Sequence, residues 1–323
     1  MPKRIITEYR QSPPFCVQVE LTEGCNLRCS FCGLNGIRGK QNNYKFLTVE
    51  MAERIVFLIK AAGWKPRIEF AMHGEPSVNP NMLEILKTFR RKLPNSIHLM
   101  MTSNGAGFVK DPTSQVDGAL KYLNVLALDW YENVNLVPKI IENYRGIHPI
   151  TYYPKDKTGN PHRRRSPKKH DFVIVQDIAS ANSGTHASIN NHAGAGAPKN
   201  NNAEGKRCAK PFRELSIRWD GNVAVCCNDW RGEYKVGNIK EMTMEEIWHH
   251  QSMYAARRKL YHGQRDFGPC AGCDALSYRP GLLPDHCGKQ TLPLPTELDE
   301  SIIESALAGP HYTTPVLRPW EAT

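Results

Sequence analysis

The sequence predicts an α/β fold built on a parallel sheet, and three observations support this prediction. Strand and helix patterns alternate through the first half of the 323-residue chain, as they do in βαβ units. Cysteines and other polar residues follow several strands where each strand ends, and parallel α/β barrels carry their chemistry at such ends. From Cys208 onward the pattern changes to a hairpin and a helix, so we expect a second, smaller α+β domain.

The first two strand–helix units are indicated by alternation and by caps. Apolar residues alternate over 15–21, which predicts the first strand. Thr48 is a typical N-cap residue, and the helix that it begins ends at Gly63. A second strand is predicted over 68–72, and a helix over 79–94 follows it. A cysteine-rich loop lies between the first strand and the first helix.

Further strands follow along the chain. Strands are predicted over 97–102 and 123–128, then a helix from about residue 133 to residue 144, and later strands over 148–153 and 171–176. Because the carboxyl ends of parallel strands meet at one edge of a sheet, we expect the polar residues at these ends to lie together.

The middle of the chain interrupts this order. Residues 155–170 are basic, and residues 179–205 are rich in Ala, Asn, Ser, Gly and His. A stretch with so few large apolar side chains indicates a solvated connector or a lid over a substrate. We therefore divide the chain into an N-terminal segment, a core, a connector, a small domain and a Pro-rich tail, at 1–13, 14–178, 179–206, 207–290 and 291–323.

The small domain begins with a hairpin over 215–225, for which Asp220-Gly221 predicts a type I′ turn. Thr243 and Glu246 form a capping-box pattern at the start of a helix that we expect to continue to about Tyr261.

Composition favours metal binding over disulfides. The chain has ten cysteines and a formal net charge of +10, the N-terminus lacks the apolar region of a secretory signal, and there is no run of about 18 apolar residues. We expect a cytoplasmic protein in which clustered cysteines bind metal. The charge permits a nucleic acid, an acidic peptide or a phosphorylated substrate as a partner.

Cys25, Cys29 and Cys32 form a C-x₃-C-x₂-C cluster directly after the first strand. Three thiolates on one short loop can hold three irons of a [4Fe–4S] cluster, and the fourth iron is then open to a small molecule. The alternatives are scattered core cysteines and a zinc knuckle, and zinc requires a fourth ligand close by. No Cys or His lies between Cys32 and His73.

This loop resembles that of the radical S-adenosylmethionine (SAM) superfamily, in which an aromatic residue stands where this chain has Phe31. The resemblance implies a partial (β/α)₆ barrel, SAM bound to the open iron, and an external electron donor such as a flavodoxin or ferredoxin. The reduced cluster cleaves SAM to a 5′-deoxyadenosyl radical in that family, where the cofactor supplies the chemistry and the protein supplies orientation.

Two further motifs match the superfamily. The run Gly74-Glu75-Pro76 resembles the motif whose backbone meets the SAM amino group, and Glu75 would be a negative partner for the ammonium. Ser103 and Asn104 stand where the family binds the ribose and carboxylate of SAM, although Asn-Gly also favours an ordinary turn there.

The catalytic acid or base is not identified by the sequence. Glu23, His73 and Asp129 are the candidates, together with Glu20 and Asp229. His73 is either a proton donor or a packed side chain. Asp129 either lies near the substrate, as an acidic residue does in relatives, or caps a helix.

A second cysteine set resembles the SPASM and twitch extensions of the superfamily. Cys208, Gly221 and Cys226 follow the spacing C-x₁₂-G-x₄-C, and Cys270 and Cys273 form a C-x₂-C pair. The resemblance implies one auxiliary [4Fe–4S] cluster of the shorter twitch type, because Arg279 stands where a full SPASM domain continues with cysteine. A Cys₄ zinc site is the alternative.

Several features of the second half keep alternatives open. Cys227 and Cys287 are unassigned: either is an inert buried thiol, or Cys287 instead supports a divergent second auxiliary cluster. The piece Asn190-Asn-His-Ala-Gly194 resembles a short stretch that relatives carry before their second cluster domain.

The expected function is hydrogen abstraction from an unactivated C–H bond, with the auxiliary cluster assisting oxidation or rearrangement of a peptide or small molecule. The alternative is the same chemistry on a nucleotide or nucleic-acid base, which the basic run in 155–170 motivates. A non-enzymatic iron–sulfur or zinc protein is the third hypothesis.

Overall fold

The computed structural model of the protein describes residues 13–29, 31–37, 43–131, 134–153, 171–175, 191–196 and 203–275. The basic run at 155–170, Cys287, the tail at 291–323 and most of the connector therefore lie outside the described residues.

A nine-stranded sheet organises the described residues. In chain order the strands are β1 Cys16–Val19, β2 Thr22–Glu23, β3 Lys45–Phe46, β4 Arg67–Phe70, β5 Leu99–Ser103, β6 Val125–Asp129, β7 Ile150–Tyr153, β8 Asp171–Val175, β9 Glu214–Ile217, β10 Asn222–Ala224 and β11 Lys235–Asn238. Strands β2 and β3 pair with each other in a separate two-stranded sheet, and the others form the large sheet. The order across the large sheet is β11-β10-β9-β1-β4-β5-β6-β8-β7.

Six of these strands form the parallel half that the sequence predicts. Strands β1, β4, β5, β6, β8 and β7 pair in parallel, with the last two exchanged relative to their order in the chain. The helices are α1 Val49–Ala61, α2 Met82–Lys92, α3 Pro112–Leu120, α4 Leu136–Asn143, α5 Lys210–Arg213, α6 Met244–Trp248, α7 Gln251–Tyr261 and α8 Gly268–Ala271.

The two faces of β1 differ in chemistry. Val17 and Val19 belong to one large buried apolar cluster with Ile55 of α1 and Phe89 of α2. Successive side chains of a strand point to opposite faces, so Gln18 faces the other way, beside Ser216 of β9 in the register of the two strands. The helices therefore cover an apolar face, and the other face of these strands is polar.

Some details differ from the sequence-based expectations. The helix expected from Thr243 to Tyr261 is two helices, because His250 adopts extended backbone and its side chain caps α7. The expected type I′ turn would require a positive φ at Asp220, and within the described chain only Met72, His192 and Ala193 have a positive φ among residues other than glycine. Gly221, with φ of 87°, is instead the last residue of a turn, which its N–H closes by donating to the Arg218 carbonyl.

The C-terminal strands extend the core sheet and do not form a sheet of their own. Strand β9 pairs in parallel with β1, and β10 pairs antiparallel with β9. A second connection joins the segment after α1 to α6: the Trp64 indole N–H donates to Glu245 at 2.5 Å, and the Trp64 and Trp248 rings meet edge to face with centroids 6.2 Å apart. The two halves therefore share both a sheet and a buried core.

None of the helices in the described parts of the chain is long and apolar enough to cross a membrane.

Candidate functional site

The polar motifs found in the sequence meet at the carboxyl ends of four neighbouring strands. The cysteine loop follows β1 and β2, the Gly74-Glu75-Pro76 turn follows β4, Ser103 and Asn104 end β5, and Asp129 ends β6. Because these strands are parallel neighbours, their ends lie at one edge of the sheet. This arrangement is what the sequence predicts.

The cysteine loop is shaped by hydrogen bonds to its own backbone and sulfur. The Cys32 N–H donates to the Cys29 carbonyl at 3.0 Å, and the Asn35 amide donates to the same carbonyl at 2.7 Å. The Leu27 N–H donates to the Cys25 sulfur at 3.3 Å. These contacts hold the three cysteines on one compact turn.

Burial, and after it the nearby charges of Glu75, Cys32 and Cys29, raises the pKa of Cys25 to about 12, while the hydrogen bond from the Leu27 N–H acts in the opposite direction. Three thiols that disfavour one another's ionisation need positive charge before all of them become thiolates, and bound iron supplies such charge. The donor set therefore fits a cluster held by Cys25, Cys29 and Cys32.

Glu75 accepts hydrogen bonds from several parts of the site and is buried, with 2% of its surface exposed. Its carboxylate accepts from the Ser77 N–H at 2.9 Å, from the hydroxyls of Ser77 and Ser103 at 2.5 Å, and from the Asn104 N–H at 2.6 Å. Burial raises its pKa, and these hydrogen bonds act in the opposite direction. The side chain thus ties the end of β4 to the end of β5, and its oxygens are engaged within the protein.

Gly74 lets the β4 turn touch the cysteine loop. It forms a parallel bridge with Gly24, and the Glu75 N–H donates to the Gly24 carbonyl at 2.9 Å. A Cβ at Gly74 would lie 2.0 Å from the Thr22 carbonyl oxygen, so no other residue fits there. Met72, just before this turn, has a φ of 90°, which costs about 1–3 kcal/mol for a residue with a side chain.

Asn104 connects the end of β5 to the cysteine loop. Its side-chain amide donates to the Cys25 sulfur at 3.3 Å and to the Asn26 side chain at 3.0 Å, and its oxygen accepts from the Ala106 N–H at 3.0 Å. A continuous chain of hydrogen bonds therefore runs from Glu75 through Asn104 to Cys25.

Asp129 and Phe31 border the same loop. The Phe31 ring stacks on Tyr131 with centroids 6.1 Å apart. Burial, and after it the negative charge of Glu75, raises the pKa of Asp129 to about 7. Tyr131 lies near Asp129, Cys29 and Cys25, and burial followed by these charges raises its pKa well above the ordinary value.

His73 is fully buried and is packed within the protein. Its Nδ1 lies 2.8 Å from a Glu20 oxygen and its Nε2 lies 3.0 Å from the Cys227 carbonyl oxygen. Because a carbonyl only accepts, Nε2 carries a proton and donates it. Of the two alternatives for His73, this placement favours a side chain packed within the protein over one that donates a proton to the substrate.

The other acidic candidates have different surroundings. Glu23 pairs with Arg218 and with Lys45, and although burial raises its pKa, these two cations lower it overall. Asp229 accepts from the N–H groups of Glu233 and Tyr234. Of the described candidates, Asp129 is the one whose carboxylate has no hydrogen-bond partner among the described residues and is partly exposed.

The second set of cysteines also comes together. Cys208, Cys226, Cys270 and Cys273 are buried, although Cys208 and Cys226 lie on either side of the β9–β10 hairpin. Burial raises the pKa of Cys226, and Cys227, Cys270 and Cys208 raise it further. Burial, and after it Cys208 and Cys273, raises the pKa of Cys270.

Neither set of cysteines is arranged to bind a single metal ion. Among the described residues, no group of three or more His, Cys, Asp or Glu side chains is placed to hold a single metal ion. A cluster needs thiols that are near one another but bind different irons, and the second set fits that requirement. Cys227, unassigned from the sequence, contacts Lys210 at 3.1 Å and Glu214 at 3.9 Å.

Sequence reasoning did not identify three residues at this site. Trp230 packs with Leu34 and Ala195 against Cys25 and Cys32, and its ring lies between His73 and His192, at 4.8 and 4.7 Å between centroids. Tyr131 is the second; for the third, Asn191, the sequence indicates the surrounding stretch, residues 190–194, but no role for the residue itself. Trp230 follows the Cys226-Cys-Asn-Asp run, and that proximity was the available signal.

Comparison with known proteins agrees with this geometry. Residues 208–274 match the model of the SPASM iron–sulfur cluster-binding domain, and residues 19–124 match the model of the radical SAM superfamily. Such domains imply SAM, a [4Fe–4S] cluster that binds it, and an additional iron–sulfur cluster.

Among curated proteins, the chain is 31% identical over 113 residues to a GTP 3′,8-cyclase of Klebsiella pneumoniae subsp. pneumoniae, covering 34% of this chain and 33% of that protein. It is 37% identical over 90 residues to a probable GTP 3′,8-cyclase of Thermococcus kodakarensis, covering 28% of this chain and 27% of that protein. The chain thus spans about a third of the length of the curated relatives that it matches.

Solved structures share the fold. The structure of BtrN in complex with AdoMet and 2-DOIA has a TM-score of 0.58 and 17% sequence identity, and covers 82% of this chain and 95% of that one. BtrN in an open conformation has a TM-score of 0.53 and 14% identity, and covers 79% and 89%. These structures show that the fold is shared, and the two matched domain models show that the chain belongs to the radical SAM superfamily and carries a SPASM-type iron–sulfur domain.

Proposed function

We propose that the protein is a radical SAM enzyme that abstracts hydrogen from an unactivated C–H bond of a peptide or small molecule, with an auxiliary cluster assisting the oxidation or rearrangement. When bound, the reduced cluster and SAM supply a 5′-deoxyadenosyl radical. Cys25, Cys29 and Cys32 would hold the SAM-binding cluster, and Cys208, Cys226, Cys270 and Cys273 the auxiliary one. An acidic electron-transfer protein such as a flavodoxin or ferredoxin would deliver the electron.

The observation that carries this proposal is the hydrogen-bond chain from Glu75 through Asn104 to Cys25. It holds the two motifs to which we assign SAM contacts against the cysteine loop. Such preorganisation is how a protein orients a cofactor without reorganising at the moment of reaction. We assign SAM contacts to the Gly74-Glu75-Pro76 backbone, to Ser103 and to Asn104, with Phe31 packing beside the loop.

Asp129 is our candidate for proton transfer to or from the substrate. It ends β6 at the same edge, has no hydrogen-bond partner in the described parts of the protein, and has a pKa of about 7. A carboxyl group that titrates near neutral pH can both accept and donate a proton under the conditions of turnover. Glu23 is engaged in ion pairs and His73 is packed, so neither competes with it on geometry.

The test is anaerobic reconstitution of the full chain with iron and sulfide, followed by iron analysis and detection of 5′-deoxyadenosine under a strong reductant. We expect about eight irons per chain, from two four-iron clusters, and reductive cleavage of SAM. Cys29→Ala should retain about four irons and form no 5′-deoxyadenosine. Cys16→Ala, which removes a buried thiol of β1 outside both sets, is the matched control and should behave as the wild type. Retained SAM cleavage in Cys29→Ala would refute the proposal.

The second candidate is the same chemistry on a nucleotide, and the similarity to GTP 3′,8-cyclases favours it. The net charge of +10 is compatible with a phosphorylated substrate. Reconstituted protein should then form 5′-deoxyadenosine faster with GTP than without it and should consume the GTP. Equal rates with and without GTP, ATP and the other nucleoside triphosphates would exclude this candidate.

A further inference from the structure

A six-residue piece of the connector, residues 191–196, lies between the two cysteine sets; we call it the Asn191 segment. Its backbone is unusual, because His192, Ala193 and Gly194 have φ values of 50°, 52° and 81°. Two of these residues carry side chains, which rarely adopt this left-handed conformation. Such backbone persists only where the surroundings hold it in place, and contacts at both ends of the segment do so.

One end is fixed to the auxiliary cysteine loop. The Asn191 N–H donates to the Asp274 carboxylate at 2.7 Å, and the Asn191 side chain donates to the Gly272 carbonyl at 2.8 Å and accepts from the Asp274 N–H at 3.2 Å. Asn191 and Asp274 are buried. Gly272 and Asp274 flank Cys273 in the sequence, so Asn191 is hydrogen-bonded to the backbone on both sides of that residue.

The other end touches the SAM-binding cysteine loop. A Cβ at Gly196 would lie 2.5 Å from the Phe31 carbonyl oxygen and 3.4 Å from the Gly33 nitrogen, so only glycine approaches the backbone on both sides of Cys32 this closely. Between the two ends, the His192 ring packs on Trp230, and the Trp230 ring lies so close to Gly33 that a Cβ there would be 2.5 Å from it.

We propose that the Asn191 segment couples the two cluster sites, so that a filled auxiliary site increases the affinity of the other site for SAM. The inference rests on the proposed function. A cluster on Cys273 would hold Gly272 and Asp274 in place, and these would hold Asn191. The segment would then keep its strained path and would support the Phe31–Gly33 backbone through Gly196 and Trp230. Asn191 is a positioning residue in this scheme, since it touches neither cluster nor SAM.

The experiment measures the equilibrium affinity for SAM in four reconstituted proteins: the wild type, Asn191→Ala, a Cys270→Ser/Cys273→Ser variant without the auxiliary cluster, and the combination of both changes. In the wild-type background, loss of the auxiliary cluster should weaken SAM binding by about 5- to 150-fold, the usual size of coupling between two sites. Asn191→Ala should bind SAM about as weakly while keeping about eight irons, and removal of the auxiliary cluster from it should have no further effect.

Asn124→Ala is the matched control. Asn124 also accepts a hydrogen bond from buried backbone, that of Leu99 at 2.9 Å, but at the opposite end of β5. Its loss should lower stability and leave SAM affinity unchanged. If Asn191→Ala does not fold or does not retain both clusters, the Gly196→Ala variant replaces it as the test of the coupling. Gly196→Ala keeps every Asn191 hydrogen bond and removes the close approach to Phe31, so it should weaken SAM binding in the same range.

The outcomes separate the two proposals. A wild-type protein with both clusters that binds no SAM contradicts the proposed function. A wild type that binds SAM with the same affinity as Asn191→Ala, or as Gly196→Ala where that variant decides, overturns the coupling alone.

Discussion

Replacement of Asp129 by asparagine should change how the stability of the protein depends on pH. In the folded chain, burial and the charge of Glu75 raise the pKa of Asp129 from 3.8 to about 7. Between these two values the folded state holds a proton that the unfolded state has released. The free energy of unfolding therefore falls as pH rises through this window, by the linkage between proton binding and folding. The amide of the Asp129→Asn variant has no such proton to lose, so this decrease should disappear.

The magnitude follows from the same two pKa values. At about 1.36 kcal/mol for each tenfold change, a rise from 3.8 to about 7 is worth about 4 kcal/mol. Measurement between about pH 5.5 and pH 8 covers only the upper part of this window, and the partial exposure of Asp129 screens its charge. We expect Asp129→Asn to gain about 1–2 kcal/mol relative to the wild type between about pH 5.5 and pH 8.

The assay is urea unfolding of reconstituted wild type and variant at both pH values, with equal slopes of the free energy against urea as the check that only stability changed. Asp266→Asn is the matched control, because a hydrogen bond from Lys259 lowers the pKa of exposed Asp266, and its window lies below both pH values. Its effect on stability should therefore be the same at the two. An Asp129→Asn difference that does not change with pH would refute the reasoning.

Three further changes test the frame of the site by urea unfolding. Glu75→Ala leaves four donors at the ends of β4 and β5 without their acceptor and should lower the free energy of unfolding by about 3 kcal/mol. A decrease under about 1 kcal/mol would mean that the hydrogen bonds to Glu75 do not stabilise the fold. Gly74→Ala should cost about 1–3 kcal/mol through its clash with Thr22, and wild-type stability would contradict that geometry. Trp64→Phe removes the hydrogen bond to Glu245 and should cost about 1 kcal/mol, with no effect on iron content; lost iron would show that this contact also supports a cluster.

Most of the parallel half could be predicted because its signals are local. Thr48 caps α1 through the Met51 N–H, as the sequence indicates. The Thr243–Glu246 capping box is present. Helix α3 was not predicted, although Asp111 and Pro112 carry an ordinary start signal; its short length and Gly118 weaken the helical pattern. Helix α4 begins at Leu136, three residues later than expected.

The candidate site could be predicted where residues follow strands, and less well where contacts are distant in sequence. Glu75 and Asn104 are at strand ends, so their proximity follows from parallel pairing. Their mutual hydrogen bond does not, because the expectation that Glu75 would pair with an ammonium group assumed free oxygens. Trp230 reaches Gly33 only through the fold of the C-terminal part, and Asn191 reaches Asp274 across 83 residues. Such contacts depend on tertiary packing, which a local pattern does not contain.

The position of β1 within the sheet has a consequence for how the chain is made. Residues 16–19 pair with β4 on one side and with residues 214–217 on the other. During synthesis, one edge of β1 therefore waits without its partner until nearly two hundred further residues have left the ribosome. Unpaired strand edges invite association with other chains, so the nascent protein should be most vulnerable to aggregation during that interval. Truncation anywhere before β9 would make this temporary exposure permanent.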